Sequence, residues 1–199
     1  IDGYLPEIHT KIQDVSLAAG IKGKWNGWNV DFSNTLGQNS FDYTIENTGN
    51  TSLRFNSPST FKAGGLQFLQ NTINLDFSKQ FDVFEGLNVA FGAEQRHENF
   101  KENPGEAASY TAYDIYGNPQ TAATSSSDKP TDFFGAALPG SSQVFAGFRE
   151  ANRTDKNRNA YAAYADVEFN FTNWLLVDAA VRYEDYSDFG STFNYKLAS

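Results

Sequence analysis

Period-two alternation of apolar and polar side chains constrains this chain more than any other feature of its sequence. In residues 160–171 every odd position from Tyr161 to Phe171 is apolar, whereas Asp166 and Glu168 occupy even positions. Successive side chains of a β-strand point to opposite faces, so this pattern predicts a strand with one apolar and one polar face. Six other segments alternate in the same way, and we predict an all-β antiparallel meander. Its seven strands are predicted near residues 15–25, 28–46, 66–79, 86–100, 158–171, 174–186 and 190–199.

The connections between these strands alternate between short and long. Asn26-Gly27 is a tight turn, because Asn-Gly accepts the positive φ angles of a type I′ hairpin. The connection at residues 172–174 is also tight, whereas 47–65 and 102–157 are long. In a meander of antiparallel strands alternate connections lie at the same end, so the tight turns should share one rim and the long loops the other.

The longest connection, 102–157, mixes Pro, Gly, Ser and Thr with many aromatic rings. A disordered linker usually lacks such rings, whereas a functional loop packed by its own side chains often has them. We therefore expect an ordered loop. Arg149 and Arg153, with Tyr110 and Tyr113, are candidates for contact with an anionic or aromatic ligand. The alternative is a solvated charged loop without a ligand.

Two kinds of protein explain strands with one apolar and one polar face. In a soluble β-sandwich the apolar face points to a core, and in an outer-membrane barrel it points to lipid. The charges at mid-strand favour the barrel, with these residues facing its lumen: Glu94, Arg96, Asp166, Glu168, Asp178 and Arg182. The three tryptophans lie beside tight turns, where indole rings would mark a membrane interface: Trp25, Trp28 and Trp174.

Composition excludes several classes of function. With 24 acidic and 15 basic residues the net charge is −9, which argues against a nucleic-acid partner. There is no cysteine, and two histidines, His9 and His97, are too few for a metal cluster. No nucleotide-binding, zinc-protease or hydrolase motif occurs, so we expect no enzyme activity, no cofactor and no metal. The longest apolar runs are also too short for a transmembrane helix.

Three segments of the chain resemble the barrels of TonB-dependent outer-membrane receptors. They are YLPEIHTKIQDVSLAAGIKG at 4–23, LNVAFGAEQRHENFKENPGEAASY at 87–110 and VRYEDYSDFGSTFNYKLA at 181–198. The resemblance implies a Gram-negative outer-membrane location and a barrel of about 22 strands with a plug in its lumen. It also implies outer-membrane lipid, a plug domain and the TonB energy-transducing complex as partners. We expect residues 1–199 to be part of such a barrel, without the plug.

The function implied by the resemblance is TonB-dependent uptake of a scarce nutrient, such as a siderophore or a carbohydrate. The ligand stays open, as does any partner lipoprotein at the cell surface. Two alternatives also stay open: a soluble β-sandwich that binds a ligand or carbohydrate, and a structural outer-membrane protein without transport. Asn50-Thr51-Ser52 matches a glycosylation sequon, which carries no meaning in a bacterial outer membrane.

Overall fold

All seven predicted segments form β-strands in the computed structural model, which describes residues 5–199. The strands are β1 (Glu7–Trp25), β2 (Trp28–Glu46), β3 (Phe61–Phe81), β4 (Gly86–Pro104), β5 (Thr154–Thr172), β6 (Leu175–Tyr186) and β7 (Gly190–Ala198). Residues 1–4, which the predicted domain and the resemblance at 4–23 include, lie outside the described residues. Within the described residues, no helix is long and apolar enough to cross a membrane.

The strands form one sheet in which each strand pairs with its neighbours in the chain. Hydrogen-bonded order therefore runs from β1 to β7, with antiparallel pairing that places Val167 opposite Ala179 and Val181 opposite Tyr195. This is the predicted antiparallel meander. Residues 5–199 build a single sheet, whereas a β-sandwich needs two sheets packed face to face. The β-sandwich alternative is therefore wrong for this chain.

Several strands are longer than the alternation predicts. β1 begins at Glu7 rather than near residue 15. The alternation did not predict its first half, because Ile8 and Ile12 lie at even positions and the later apolar residues of β1 lie at odd ones. β4 continues to Pro104 and β5 begins at Thr154, so the long connection is shorter than the predicted 102–157. It contains one helical turn, Ala107–Tyr110, and two short 3-10 turns, Ser126–Asp128 and Glu150–Asn152.

The hairpin between β1 and β2 has the predicted geometry. Asn26 and Gly27 have φ angles of 49° and 83°, the pair of positive values that a type I′ turn requires. The strands end at Trp25 and restart at Trp28 on either side of this turn. The prediction of a tight Asn-Gly hairpin is confirmed.

The chain divides into two compact units. Unit 1 contains residues 5–14, Asn39–Phe68 and Phe100–Lys156, and unit 2 contains Val15–Gln38, Leu69–Asn99 and Asn157–Ser199. Unit 1 holds both long connections, including the 3-10 segment Thr51–Asn56. Unit 2 holds the tight turns and the clearest alternation of the strands.

Candidate functional site

The polar face of unit 2 is a network of paired charges. On it, Arg182 Nη2 lies 3.4 Å from Glu94 Oε2 and 2.7 Å from Glu184 Oε1. The Arg158 guanidinium donates a hydrogen bond of 2.5 Å to Glu98, a residue that is almost completely buried. Mixed signs at this spacing neutralise one another, as expected for a hydrated wall rather than for a pair of catalytic carboxylates.

The register of β5 and β6 places the other predicted polar residues on this same face. Glu168 lies opposite Asp178, and Asp166 lies one polar position further along β5, opposite Ala180. Two acidic residues directly opposite each other are unfavourable, and Lys196 of β7 compensates by donating to Asp178 Oδ2. The structure therefore brings Asp166, Glu168, Asp178 and Arg182 to one face, as their even numbering predicted.

Arg96 joins the network through an aromatic side chain. Its Nη2 donates to Tyr186 Oη at 3.2 Å, and its guanidinium lies 5.8 Å from the centre of the Tyr186 ring. The guanidinium of Arg158 lies 5.6 Å from the same ring, and Phe189 stacks on Tyr186 at 4.2 Å between centroids. Two cations thus share one tyrosine, a contact set that charge counting alone does not reveal.

One glycine permits a long-range contact on the polar face. Tyr164 of β5 reaches across β4 and donates a 2.7 Å hydrogen bond to Asp76 of β3. A Cβ on Gly92 of β4 would lie 2.3 Å from Asp76 Oδ1 and 2.7 Å from Cε1 of Tyr164. The absence of a side chain at Gly92 is therefore a condition for this contact.

The opposite face of unit 2 is apolar and exposed. Val167 and Val181 lie at odd positions of β5 and β6, and both side chains are exposed although they are fully apolar. The same holds on β1 for Leu17 and Ile21. An apolar face of this kind across several strands needs an apolar environment, because the structure places no second layer of the described residues on it.

The three tryptophans differ in their surroundings. Trp25 and Trp174 are 69% and 81% exposed at their turns. Trp28 is half-buried and packs edge-on against Phe91, with ring centroids 5.2 Å apart. The Lys79 ammonium lies 5.8 Å from the Trp28 ring, so this ring combines an apolar contact with a cation.

Asn50 is the centre of hydrogen bonding in unit 1. Its side-chain amide donates to the carbonyls of Ala108 and Thr111, both at 2.8 Å, and so joins the two long connections. Its Oδ1 accepts from the N–H and the hydroxyl of Ser52, at 3.2 and 2.6 Å. The Asn50 side chain is completely buried, and each of its polar groups has a partner.

Ser109 plays a similar part within the long connection. Its carbonyl accepts from the N–H groups of Ser142 and Gly147, each at 3.0 Å, and from the Ser142 hydroxyl at 3.1 Å. Ser109 and Ser142 are both buried. A Cβ on Gly147 would lie 2.0 Å from the Ser109 hydroxyl, so only glycine fits at this position. The prediction that this loop is ordered agrees with this packing.

Residues 113–119 form a compact turn built on Asp114. Its Oδ1 accepts from the N–H groups of Tyr116 and Asn118 at 2.9 and 2.8 Å, and Gly117 follows with a φ of 85°. Asp114 N–H in turn donates to the Asn118 carbonyl at 2.8 Å. The turn is therefore closed on both sides by hydrogen bonds.

Residues 131–137 repeat this design on Asp132. Its Oδ1 accepts from the N–H groups of Phe134 and Ala136, both at 2.9 Å, and Gly135 has the same φ of 85°. Asp132 N–H donates to the Ala136 carbonyl at 2.8 Å, as in the first turn. We call residues 113–119 and 131–137 the aromatic turns. Their tips carry these large apolar side chains: Ile115, Tyr116, Phe133 and Phe134.

The predicted ligand residues lie in unit 1 but differ in their availability. Arg153 donates two hydrogen bonds to the Glu150 carboxylate, at 2.6 and 3.1 Å, so its charge is already paired. Arg149 is exposed, and its carbonyl accepts from Asn152 N–H. Tyr110 ends the helical turn Ala107–Tyr110 and is half-buried.

Electrostatic shifts link three of these groups. The hydrogen bond from Arg153 lowers the pKa of Glu150. The pKa of Arg153 is raised mainly by this hydrogen bond and, in smaller part, by Tyr110. Burial raises the pKa of Tyr113, and Tyr110 adds to that shift. Tyr110 therefore lies within electrostatic reach of both Tyr113 and Arg153, although the residues were proposed from composition alone.

Sequence reasoning missed the roles of Asn50 and of the aromatic turns. Asn50 was interpreted only as part of a sequon, and its partners at Ala108 and Thr111 are too distant in sequence to be inferred. The turns had a visible signal, since Asp114 and Asp132 each precede a glycine by three residues. Among residues 5–199, no group of three or more acidic, histidine or cysteine residues is placed to hold a metal ion.

Comparison with known protein families identifies the family of this chain. The profile of the family described as TonB dependent receptor-like, beta-barrel matches residues 6–198, almost the whole chain. No curated protein matches the chain at a significant level. The match confirms the resemblance that the sequence indicated, and it agrees with the strand meander of the structure. The family consists of outer-membrane receptor and transport barrels.

Proposed function

Because the chain belongs to the family of TonB-dependent receptor β-barrels, we propose that it is part of a receptor that takes up a nutrient across the outer membrane with TonB-derived energy. The observation that carries the proposal is the division of the strand residues between two faces. Ion pairs such as Arg182 with Glu94 lie on one face, and exposed apolar residues such as Val167 lie on the other. A lumen and a bilayer are the two environments that suit such faces.

The charged face supports a role as the inner wall of the barrel. Salt bridges join its residues, although Arg96 Nε and Asp178 Oδ1 are buried without a hydrogen-bond partner. The side chains of Glu94, Arg96 and Arg182 keep part of their surface exposed. A wall of this kind stays hydrated and leaves polar groups available to a plug domain. The tryptophans at the tight turns then mark the periplasmic edge of the bilayer.

Unit 1 supports the receptor part of the proposal. Its connections are fixed by buried hydrogen bonds at Asn50 and Ser109, which is more order than a simple connection between strands requires. We place ligand capture on this unit, at the outer side of the membrane. Tyr110, Tyr113, Arg149 and Arg153 are the residues first proposed for this role.

A deletion within the long connection tests this function. A Cβ on Gly140 would lie 2.4 Å from the Ala112 Cα, so residues 113–139 can be removed and the ends joined directly. The strands take their hydrogen bonds from neighbouring strands, so the full-length receptor with this deletion should remain in the outer membrane. Uptake should be lost.

Three outcomes would contradict the proposal or a part of it. If the receptor with the deletion transports as well as the intact receptor, the loop has no role in ligand capture. An intact receptor that shows no TonB-dependent uptake of any nutrient would favour the structural outer-membrane protein. Recovery of the full-length protein in the soluble fraction without detergent would remove the membrane location altogether.

A further inference from the structure

We infer that the two aromatic turns capture an uncharged ligand that presents flat ring faces. This inference rests on the proposed receptor function and names the chemistry of its ligand. It departs from the expectation of an anionic ligand held by Arg149 and Arg153. The aromatic turns differ from those arginines in charge, because their tip side chains are neutral.

The first observation is the exposure of the turn tips. Phe133 and Phe134 are 96% and 89% exposed, Tyr116 is 72% exposed and Ile115 is 46% exposed. These side chains lie in turns rather than on the strand faces, so the bilayer that accounts for the apolar face of unit 2 does not account for them. Clustered exposed apolar side chains of this kind indicate a binding surface.

The second observation is that each turn has a fixed backbone and that one hydrogen bond links the first turn to the segment before the second. Each is closed by an aspartate that accepts two backbone N–H groups, described above for Asp114 and Asp132. Ile115 N–H donates to the Asp128 carbonyl at 2.9 Å, which ties the first tip to the residues that lead into the second turn. The backbone of each tip is therefore fixed before a ligand arrives, which reduces the entropy lost on binding.

The third observation is that the tips themselves carry no charged side chain: Ile115, Tyr116, Phe133 and Phe134 are all uncharged. The carboxylates of Asp114 and Asp132 are occupied by the turns themselves. Arg153, a candidate cation for an anionic ligand, is held by Glu150. Phe133 and Phe134 offer only ring surface, so charge contributes little to recognition at this point.

The size of the surface favours a ligand over a protein partner. Four side chains of this kind can bury on the order of 500–600 Å² of surface. A stable protein interface buries about 800 Å² on each partner. The tips therefore suit a molecule with two or more ring faces, stacked on the aromatic side chains in offset or edge-on contacts. Sugar rings and aromatic rings share this chemistry.

The test measures binding by the full-length receptor purified in detergent, using isothermal calorimetry. The neutral probes are maltohexaose and cellohexaose for sugar rings and coumarin for aromatic rings, and hexagalacturonate is the anionic probe. We expect saturable binding of a neutral probe, at an affinity that high salt does not change. The double variant Phe133→Ala/Phe134→Ala should lower the affinity about tenfold or more.

The double variant Phe133→Tyr/Phe134→Tyr is the matched control, because it keeps both rings. It should retain affinity within about twofold. Both pairs change exposed side chains only, so the receptor should remain folded, as the pattern of limited proteolysis will show. Saturation by the hexasaccharides would identify sugar rings as the source of the ring faces, and saturation by coumarin would identify aromatic rings.

Any one of these binding results would overturn the inference: binding of hexagalacturonate alone, no saturable binding of any of the four probes, or equal affinity in the alanine and tyrosine variants. Binding needs no energy from TonB, so its outcome is separate from that of uptake. A receptor that binds a neutral probe but shows no TonB-dependent uptake of any nutrient would contradict the proposed function alone. A receptor that transports normally after both phenylalanines are replaced by alanine would contradict the inference alone.

Discussion

Unit 1 and unit 2 achieve order in opposite ways. Unit 1 buries apolar side chains such as Phe61. It also buries polar residues such as Asn50 and Ser109, and each of these has a hydrogen-bond partner. In unit 2 large apolar side chains such as Val167 and Val181 are exposed, and the polar side chains pair with one another. The same chain therefore contains a region that suits water and a region that needs an apolar solvent.

This difference predicts which single substitutions should destabilise each unit. A buried hydrogen bond contributes modestly when made, but a buried group that loses its partner is strongly destabilising. Unit 1 should therefore be sensitive to the loss of individual polar side chains. Unit 2 should tolerate many changes on its polar face and few charges on its apolar face.

The largest effect is expected from Asn50→Ala in unit 1. It leaves the Ala108 carbonyl and the N–H and hydroxyl groups of the buried Ser52 without their partner in Asn50, at about 1–3 kcal/mol for each group. Hydrogen exchange of the purified receptor should show opening of the long connection while the strands of unit 2 stay protected. Asn56→Ala, at an exposed position of the same 3-10 segment, is the control and should change little. If the amides of the long connection were equally protected from exchange in both variants, the Asn50 side chain would not be what stabilises unit 1.

A charge on the apolar face of unit 2 should have the next largest effect. Val167→Arg places a guanidinium toward the bilayer and should lower the free energy of unfolding in lipid by about 2–4 kcal/mol at the midplane. Glu168→Arg is the matched control, because the neighbouring residue belongs to the polar face beside Asp178. Urea titration in lipid vesicles measures both. If Glu168→Arg were the more destabilising change, the assignment of the lipid-facing and lumen-facing sides of the sheet would have to be reversed.

Overpacking of the polar face should have a smaller effect. Gly92→Ala forces a Cβ against Asp76 and Tyr164 and should lower the free energy of unfolding by about 1–3 kcal/mol. Gly23→Ala adds the same methyl group where no atom lies within 4 Å, so it should be nearly neutral. The same urea titration compares them. A neutral Gly92→Ala variant would mean that Tyr164 and Asp76 need not approach across β4.

The smallest effect is the response of an aromatic turn to acid. Hydrogen bonds from the backbone, with Asn118 as the largest cause, lower the pKa of Asp114. A carboxyl with a lowered pKa in the folded state stabilises the turn above its unfolded pKa, and this is lost as pH falls through the folded pKa. Exchange of the Asn118 amide should therefore accelerate only below about pH 4. Asp114→Asn keeps the acceptor without titrating, so its Asn118 amide should not show the acid step.

The sequence predicts unit 2 far better than unit 1, for a physical reason. Strand faces follow from local alternation, which is why β5 and β6 and the Asn26-Gly27 turn could be placed without a structure. The first half of β1 escaped because its apolar residues change phase. In unit 1 the decisive contacts join residues far apart in the chain, as Asn50 joins Thr111, and no local pattern encodes such a pair.

The candidate site was predictable only in part. Glu150 and Arg153 are three residues apart, the spacing that brings side chains together in a helical turn. The sequence could therefore have predicted this ion pair. The repeated Asp-x-x-Gly of the aromatic turns was also visible, but the exposure of Phe133 and Phe134 depends on how the turns lie against their neighbours. Local spacing predicts a turn, and only packing decides which side chains it exposes.

Surface labelling of intact cells tests the central claim most directly, namely that the connections of unit 1 face the medium and the tight turns of unit 2 face the periplasm. The chain contains no cysteine, so Ser126→Cys and Asn173→Cys each introduce one thiol here, both at exposed positions. With an impermeant thiol reagent, we expect labelling at residue 126 in intact cells and at residue 173 only after the outer membrane is permeabilised. Labelling of intact cells at residue 173 but not at residue 126 would contradict the account.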